Sequence, residues 1–240
     1  MSEVMIQISH VTKKYHGRPA VKDCSLHLEK GRIYGLAGKN GAGKTTMMRM
    51  IAGLSIPDEG KIVKNTEKIG MLIEAPSLNG SMTAAENLKF YRLLSGCPGT
   101  AQTDEELLAL VGLTGTGRKK VKDFSLGMRQ RLGIATAILG NPGFVMLDEP
   151  VNGLDPIGVV EIRNLIRRLC GEFGMTVLVS SHNLPELYQT ATDYIIIDQG
   201  TVKREITHEA LEQESGGDLE AFFLSTINGE NTEEGGGQYV

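Results

Sequence analysis

Residues 38–45 read GKNGAGKT, and this stretch decides both the fold and the chemistry of the chain. It matches the pattern G-x-x-x-x-G-K-[ST] at every fixed position. The strand-like residues IYGLA precede it, and the helix-like residues TMMRMIA follow it. A strand, a glycine-rich loop and a helix in this order are the structural context that the pattern requires.

The residue types in this loop suit the binding of phosphate groups. Glycine lets the backbone curl so that successive N–H groups point inward, and the following helix adds the positive end of its dipole. Lys44 supplies a charge for the β- and γ-phosphates, and Thr45 offers a hydroxyl to Mg²⁺. A glycine-rich turn that binds nothing is the alternative. We predict a nucleoside triphosphate site at Gly38, Lys39, Asn40, Gly41, Ala42, Gly43, Lys44, Thr45 and Thr46.

A second motif, FVMLDEP at residues 144–150, is an apolar strand that ends in two carboxylates. Because side chains alternate between the faces of a strand, Asp148 and Glu149 cannot both point the same way while the strand stays regular. We predict that Asp148 holds Mg²⁺ through water and that Glu149 polarises the attacking water. A solvated strand end is the alternative interpretation of this pair.

Two more polar residues follow strand-like runs. His182 follows MTVLVSS, and Glu74 follows IGMLI. Ligands of open α/β sheets gather beyond the carboxyl ends of the strands, so Glu74, Asp148 and His182 should converge on the nucleotide. We predict that His182 contacts the γ-phosphate. A buried, unpaired carboxylate is costly, so Glu74 requires water, a cation or a hydrogen-bond donor.

Composition excludes several classes of protein. The chain has 240 residues, of which 40% are apolar, and a net charge of −4, so no global basic field draws it to nucleic acid or anionic lipid. The scattered cysteines Cys24, Cys97 and Cys170 indicate reduced thiols. No signal peptide is expected at the N-terminus. The apolar stretches are far shorter than the roughly 20 residues that span a bilayer, so another chain would do any spanning.

Strand-like and helical segments alternate, which predicts an α/β fold with a largely parallel sheet. We expect an edge hairpin from residues 4–9 and 25–28, further strands at 32–37, 144–147, 175–180 and 194–198, and helices at 45–52, 84–94, 104–111 and 126–139. Thr83 and Thr103 are predicted N-caps. The predicted organisation is one domain over residues 1–227, a helical subdomain inserted at about residues 75–140, and a disordered tail over residues 228–240.

Three further motifs carry a family resemblance. They are FSLGMRQRLGIA at residues 124–135, GLDP at residues 153–156 and SSH at residues 180–182. Together with the two nucleotide motifs, and in this order, they make residues 4–210 resemble the ATP-binding subunit of an ABC transporter. The resemblance implies a P-loop NTPase core with an N-terminal antiparallel β region, ATP and Mg²⁺ as cofactors, and ATP hydrolysis coupled to transport.

The resemblance also implies roles for single residues. Glu149 and His182 would be catalytic, and Tyr15 would stack on adenine, with a packed core tyrosine as the alternative. Ser125 and Gly127 of the signature motif, with Asp155 of the loop after Glu149, would contact nucleotide. In the family the signature of one subunit closes over the ATP of the other. This implies a head-to-tail dimer, with itself or a similar subunit, and a separate permease at the cytoplasmic face of a bacterial membrane.

The chain departs from the family pattern at several positions. Leu126 and Met128 replace the usual third and fifth residues of the signature, and Lys39 stands where proline is frequent. Glu74 stands where most members have a glutamine that links Mg²⁺ to the subdomain facing the permease. We therefore predict Thr45, Glu74 and Asp148 as metal ligands, with a solvated hinge residue as the alternative for Glu74.

The segment IGMLIEAPSLNGSMTAAENL at residues 69–88 resembles a narrower branch, the exporters of bacitracin resistance and lantibiotic self-protection. Export of lipid, polysaccharide or general drugs is the alternative within transporters. Three classes outside transporters are alternatives. A DNA-repair ATPase is disfavoured because the sequence has no long coiled-coil insertion, and a translation factor is disfavoured by the single ATPase domain and the negative net charge. The third alternative is a subunit that binds ATP without hydrolysing it, which the presence of Lys44, Asp148, Glu149 and His182 argues against.

Overall fold

The structure is a computed structural model that describes residues 3–96 and 103–229. Cys97 and residues 230–240 of the predicted tail lie outside the described residues, while Asn228 is the last residue of a helix. Within the described part, Cys24 and Cys170 are free thiols, and burial raises the pKa of both.

The N-terminal strands form an antiparallel sheet, as predicted. Its strands are β1 (Val4–Tyr15), β2 (Arg18–Glu29) and β4 (Glu59–Lys64), in the order β2-β1-β4. The predicted hairpin was too short because register shifts between Ile8 and Val11 and between Val11 and Lys13 interrupt the alternation of apolar and polar residues. The strand β4 was not predicted, because it lacks a buried residue that would mark a period of two.

A second sheet of six strands forms the centre of the molecule. Its strands are β3 (Ile33–Ala37), β5 (Ile69–Leu72), β6 (Phe144–Asp148), β7 (Thr176–Ser181), β8 (Asp193–Asp198) and β9 (Thr201–Thr207). The strand order is β5-β6-β7-β3-β8-β9. All pairs are parallel except β8 with β9. This confirms the predicted largely parallel sheet and places β3 beside both β7 and β8.

Within the described residues, helices lie between several of the strands and also follow the last strand, β9. They are α1 (Lys44–Ala52), α2 (Ala84–Leu94), α3 (Asp104–Leu110), α4 (Leu126–Ala137), α5 (Pro156–Gly171), α6 (Leu184–Tyr188), α7 (His208–Ser215) and α8 (Leu219–Asn228). The helices α2, α3 and α4 all lie between β5 and β6. Thr83 and Thr103 are N-caps, as predicted, and each also forms a capping box with a glutamate three residues later.

The central sheet separates two apolar clusters. Along β3, Ile33 and Ala37 belong to a cluster that includes residues of α2 to α6, whereas Tyr34 and Leu36 belong to the cluster under α1 and the antiparallel sheet. Since successive side chains of a strand point to opposite faces, the two clusters lie on opposite faces of the sheet. The polar residues that follow the carboxyl ends of the strands lie at the edge of the sheet, between these two apolar layers.

The packing of α4 on β5 gives a prediction for stability. A Cβ added to Gly70 would lie 2.2 Å from the backbone oxygen of Ala137, the last residue of α4. Because the backbone cannot move aside cheaply, we expect Gly70→Ala to lower the free energy of unfolding by about 1–3 kcal/mol. The measurement is chemical denaturation of the purified protein.

The control is Gly171→Ala at the end of α5, where an added Cβ meets nothing within 4 Å. Alanine is the better helix former by about 1 kcal/mol, so this control should be neutral or stabilising. Equal unfolding midpoints for the two variants would contradict the close packing of α4 on β5.

Candidate active site

The glycine-rich loop joins β3 to α1, as its sequence pattern predicts. Gly43 has φ of 107°, and a Cβ there would lie 2.5 Å from the backbone oxygen of Ala20. Gly43 also provides no side-chain cap for α1. Every other α-helix within the described residues has its N-terminus capped by a side-chain oxygen. The first-turn N–H groups of α1 therefore remain available to an anion.

Lys44 lies inside the loop, with a side chain only 5% exposed. Its ammonium group donates to the backbone oxygens of Gly38 at 2.6 Å and Lys39 at 3.3 Å. It is also 3.3 Å from a carboxylate oxygen of Glu149. A buried cation is stable only when it is paired and hydrogen-bonded. These contacts therefore hold the Lys44 ammonium at the glycine-rich loop, in position to bind a phosphate group.

Asp148 and Glu149 have different hydrogen-bond and ion-pair partners. Asp148 is buried, and its Oδ2 accepts a hydrogen bond of 2.8 Å from the Thr45 hydroxyl. Glu149 follows the end of β6 in a left-handed conformation with φ of 48°. Its carboxylate lies between Lys44 and His182, whose Nδ1 is 2.8 Å from Glu149 Oε2.

An open cleft of about 250 Å³ lies over the loop. Two of its lining residues, Ala20 and Asn152, were missed by the sequence analysis. Asn152 lies three residues after Glu149, which is a signal that could have found it, whereas nothing in the sequence marks Ala20. The full lining comprises Ala20, Asn40, Gly41, Ala42, Gly43, Lys44, Thr45, Thr46, Glu149 and Asn152.

Glu74 is placed differently from the other predicted ligands. It follows β5 in a left-handed conformation with φ of 65°, and its carboxylate forms an ion pair with the guanidinium of Arg49 on α1. The cation that Glu74 meets in this structure is therefore an arginine. Across residues 3–96 and 103–229, no three His, Cys, Asp or Glu side chains group as a metal site. A metal-ligand role for Glu74 requires release from Arg49.

The hydroxyl of Thr45 and the carboxylate of Asp148 fit a hard cation. They are hydrogen-bonded oxygen donors beside the phosphate loop, and Mg²⁺ is usually held by one or two protein oxygens together with substrate phosphates and water.

The remaining predicted contacts do not line this cleft. Ser125 and Asp155 are the N-caps of α4 and α5, and Gly127 lies in the first turn of α4. Tyr15 is 42% exposed, so the alternative of a packed core tyrosine is wrong. The Lys13 ammonium lies 5.6 Å from the centre of the Tyr15 ring. These residues can contact a nucleotide only from outside the phosphate loop.

Comparison with known proteins shows the family of the chain. Residues 21–152 match the ABC transporter family. The chain is 40% identical over 235 residues to the bacitracin transport ATP-binding protein BcrA of Bacillus licheniformis. This alignment covers 93% of the present chain and 76% of BcrA. The chain belongs to the ABC transporter family. It is an ATP-binding cassette with ATPase activity, as its motifs predicted.

Other ABC proteins agree with this assignment. The lantibiotic transport ATP-binding protein SrtF of Streptococcus pyogenes is 37% identical over 231 residues, covering 93% of this chain and 97% of SrtF. The fold is similar to a dimeric post-hydrolysis state of the ATP-binding cassette MJ0796 bound to ADP and Pi, with a TM-score of 0.75 and 27% identity. That similarity covers 85% of this chain and 99% of MJ0796. No helix among the described residues of this ABC protein is long and apolar enough to cross a membrane.

The geometry of Lys44 generates a binding prediction. Replacing its buried ammonium by an apolar group in Lys44→Met removes a charged hydrogen-bond donor worth about 1.5–3 kcal/mol, so the affinity for ATP should fall about 10- to 100-fold. Titration with a fluorescent ATP analogue measures this affinity.

The matched control is Lys61→Met on the exposed strand β4, where we expect no change in affinity. Unchanged ATP affinity in the Lys44→Met protein would contradict the assignment of the phosphate site.

Proposed function

We propose that this chain is the ATP-hydrolysing subunit of an exporter for peptide antibiotics. Two copies, or one copy and a similar subunit, close head to tail around two ATP molecules at the cytoplasmic face of the membrane. They drive a separate transmembrane permease. The observation that carries the hydrolytic role is the Glu149 carboxylate, which lies between the Lys44 ammonium and the His182 imidazole at 3.3 Å and 2.8 Å.

The contacts of Glu149 suggest how hydrolysis proceeds. Lys44 exchanges its contact with Glu149 for the phosphates of ATP, which leaves the carboxylate free to accept a proton from the attacking water. The hydrogen bond to His182 orients the carboxylate, and in this proposal His182 also contacts the γ-phosphate of bound ATP. Mg²⁺, which Thr45 and Asp148 would hold with Glu74 as a further ligand, supplies charge neutralisation when it is bound.

The location of the signature residues supports the dimer. Ser125 and Gly127 do not line the cleft of their own chain, yet they form the start of α4, where backbone N–H groups favour an anion. Leu126 between them is 44% exposed. A second copy related by two-fold symmetry would bring this helix start to the other nucleotide and receive the same contact in return.

The names of similar proteins support the class of cargo. BcrA is described by bacitracin transport and SrtF by lantibiotic transport. Both proteins align with more than nine-tenths of this chain. Residues 69–88, which carry Glu74 in place of the usual glutamine, resemble that branch. Export of lipid, polysaccharide or general drugs is the alternative that the following experiment separates.

The functional test compares wild type with a chromosomal Glu149→Gln variant. Loss of the general base should reduce ATP hydrolysis at least about 100-fold. The host should become sensitive to one class of peptide antibiotic in a panel of bacitracin, lantibiotics and unrelated drugs. Growth inhibition and the ATPase rate of the purified proteins are the measurements.

Two results would overturn parts of this proposal. An ATPase rate for the wild type no higher than that of Glu149→Gln would overturn the role of Glu149 in hydrolysis. Unchanged antibiotic sensitivity, with wild-type ATPase activity intact, would remove the peptide-antibiotic assignment and leave the ATPase standing.

Glu74 has its own test. Substitution in Glu74→Gln removes one anionic ligand, so the Mg²⁺ concentration for half-maximal ATPase should rise about 10-fold, as expected for the loss of a hydrogen-bonded or metal-bound charge.

Arg49→Gln is the companion variant, because it removes the competing cation and leaves the carboxylate. It should lower the half-saturating Mg²⁺ concentration or leave it unchanged. A Glu74→Gln protein with normal Mg²⁺ dependence would exclude the metal-ligand role.

A further inference from the structure

Ser180 lies at a position that the roles assigned above do not use. It is in β7, directly opposite Asp148 of β6 in the parallel register. The residue is fully buried, with 0% exposure, and it does not line the cleft. A hydroxyl in such a place must find its hydrogen bonds inside the protein.

The Ser180 hydroxyl joins the two acidic residues of the site. It donates to Asp148 Oδ1 at 2.5 Å and accepts a hydrogen bond of 2.9 Å from the backbone N–H of Glu149. Since the other oxygen of Asp148 accepts from Thr45 at 2.8 Å, both oxygens of this carboxylate are held from opposite sides. One hydroxyl therefore sets the orientation of Asp148 and the backbone position of Glu149.

The backbone of Glu149 needs such support. Its φ of 48° lies in the left-handed region, which residues other than glycine occupy only when the surrounding structure holds them there. This turn directs the Glu149 side chain to Lys44 and His182 instead of continuing the alternation of β6. The N–H of Glu149 donates to Ser180 at the residue where the chain turns.

We propose that Ser180 is a positioning residue for ATP hydrolysis, because its hydroxyl fixes Asp148 and the turn at Glu149 in their working arrangement. The inference rests on the roles proposed for Asp148 and Glu149. Ser180 touches no substrate and acts through these two residues. Neighbouring hydroxyls on β7 have other partners: Ser181 bonds to Glu186, and Thr176 accepts from the backbone N–H of Gly31.

The substitution Ser180→Ala leaves Asp148 Oδ1 and the Glu149 N–H without their partner. Loss of an outer hydrogen bond of this kind typically costs about 10- to 100-fold in activity, and we expect that loss in kcat. The KM for ATP should change less than about threefold, because Lys44 and the phosphate loop keep their own contacts. Ser180→Cys keeps nearly the same volume but offers only a weak donor and acceptor. It should likewise lower kcat and leave the KM for ATP nearly unchanged.

The experiment measures steady-state ATP hydrolysis by the purified full chain, with active sites counted by binding of a fluorescent ATP analogue. Thermal denaturation reports the stability of each variant. The matched control is Thr176→Val, which removes another fully buried hydroxyl from the same strand. A purely structural role predicts similar losses for Ser180→Cys and Thr176→Val. The positioning role predicts a loss of kcat for the Ser180 variants alone.

A double variant tests the route through Glu149. In the Glu149→Gln background, Ser180→Ala should lower the remaining rate by a smaller factor than in the wild-type background, because residues that act as one unit are not additive.

Failure of the inference and failure of the proposed function are distinguishable. If Glu149→Gln loses ATPase activity but the Ser180 variants hydrolyse ATP no more slowly per active site than Thr176→Val, only the role of Ser180 is overturned. An unimpaired Glu149→Gln protein would overturn both.

Discussion

The buried ammonium of Lys44 is the constraint on which the site depends. A cation with 5% exposure must be paired and hydrogen-bonded, and in this chain its partners are two loop carbonyls and the carboxylate of Glu149. These partners come from different elements, the loop after β3 and the turn after β6. Satisfying one charge therefore ties together the phosphate loop and the residue that would activate water. Phosphate oxygens can replace the same contacts, which in the proposed mechanism would link ATP binding to release of the Glu149 carboxylate.

A second set of contacts holds the carboxylates themselves. The parallel pairing of β6 with β7 sets Ser180 opposite Asp148, and the hydroxyl of Ser180 reaches both Asp148 and the backbone of Glu149. Arg49 of α1 forms an ion pair with Glu74. The acidic residues are thus each given a separate donor, which limits the repulsion among like charges that a shared site would impose. In the proposed mechanism the same contacts would keep Asp148 and Glu149 ordered for hydrolysis.

Much of this could be predicted from the sequence, because its strongest signals are local. The loop pattern at residues 38–45, the apolar run ending in Asp148 and the capping threonines Thr83 and Thr103 depend on few neighbours. The misses have physical reasons. The strand β4 has almost no buried face. Register shifts along β1 interrupt the alternation of apolar and polar residues, so the sequence pattern does not indicate the full length of this strand. The partners Arg49 for Glu74 and Ser180 for Asp148 are distant in sequence, so only the folded chain reveals them.

In the proposed mechanism, ATP phosphates replace the present partners of Lys44. A crystal structure of the wild-type protein with Mg²⁺ and a non-hydrolysable ATP analogue would show whether they do. We expect Lys44 Nζ to leave Glu149 and contact the β- and γ-phosphates, while Asp148 and the Glu149 backbone keep their bonds to Ser180. A bound nucleotide whose phosphates lie away from Lys44, with the Lys44–Glu149 pair intact, would contradict it.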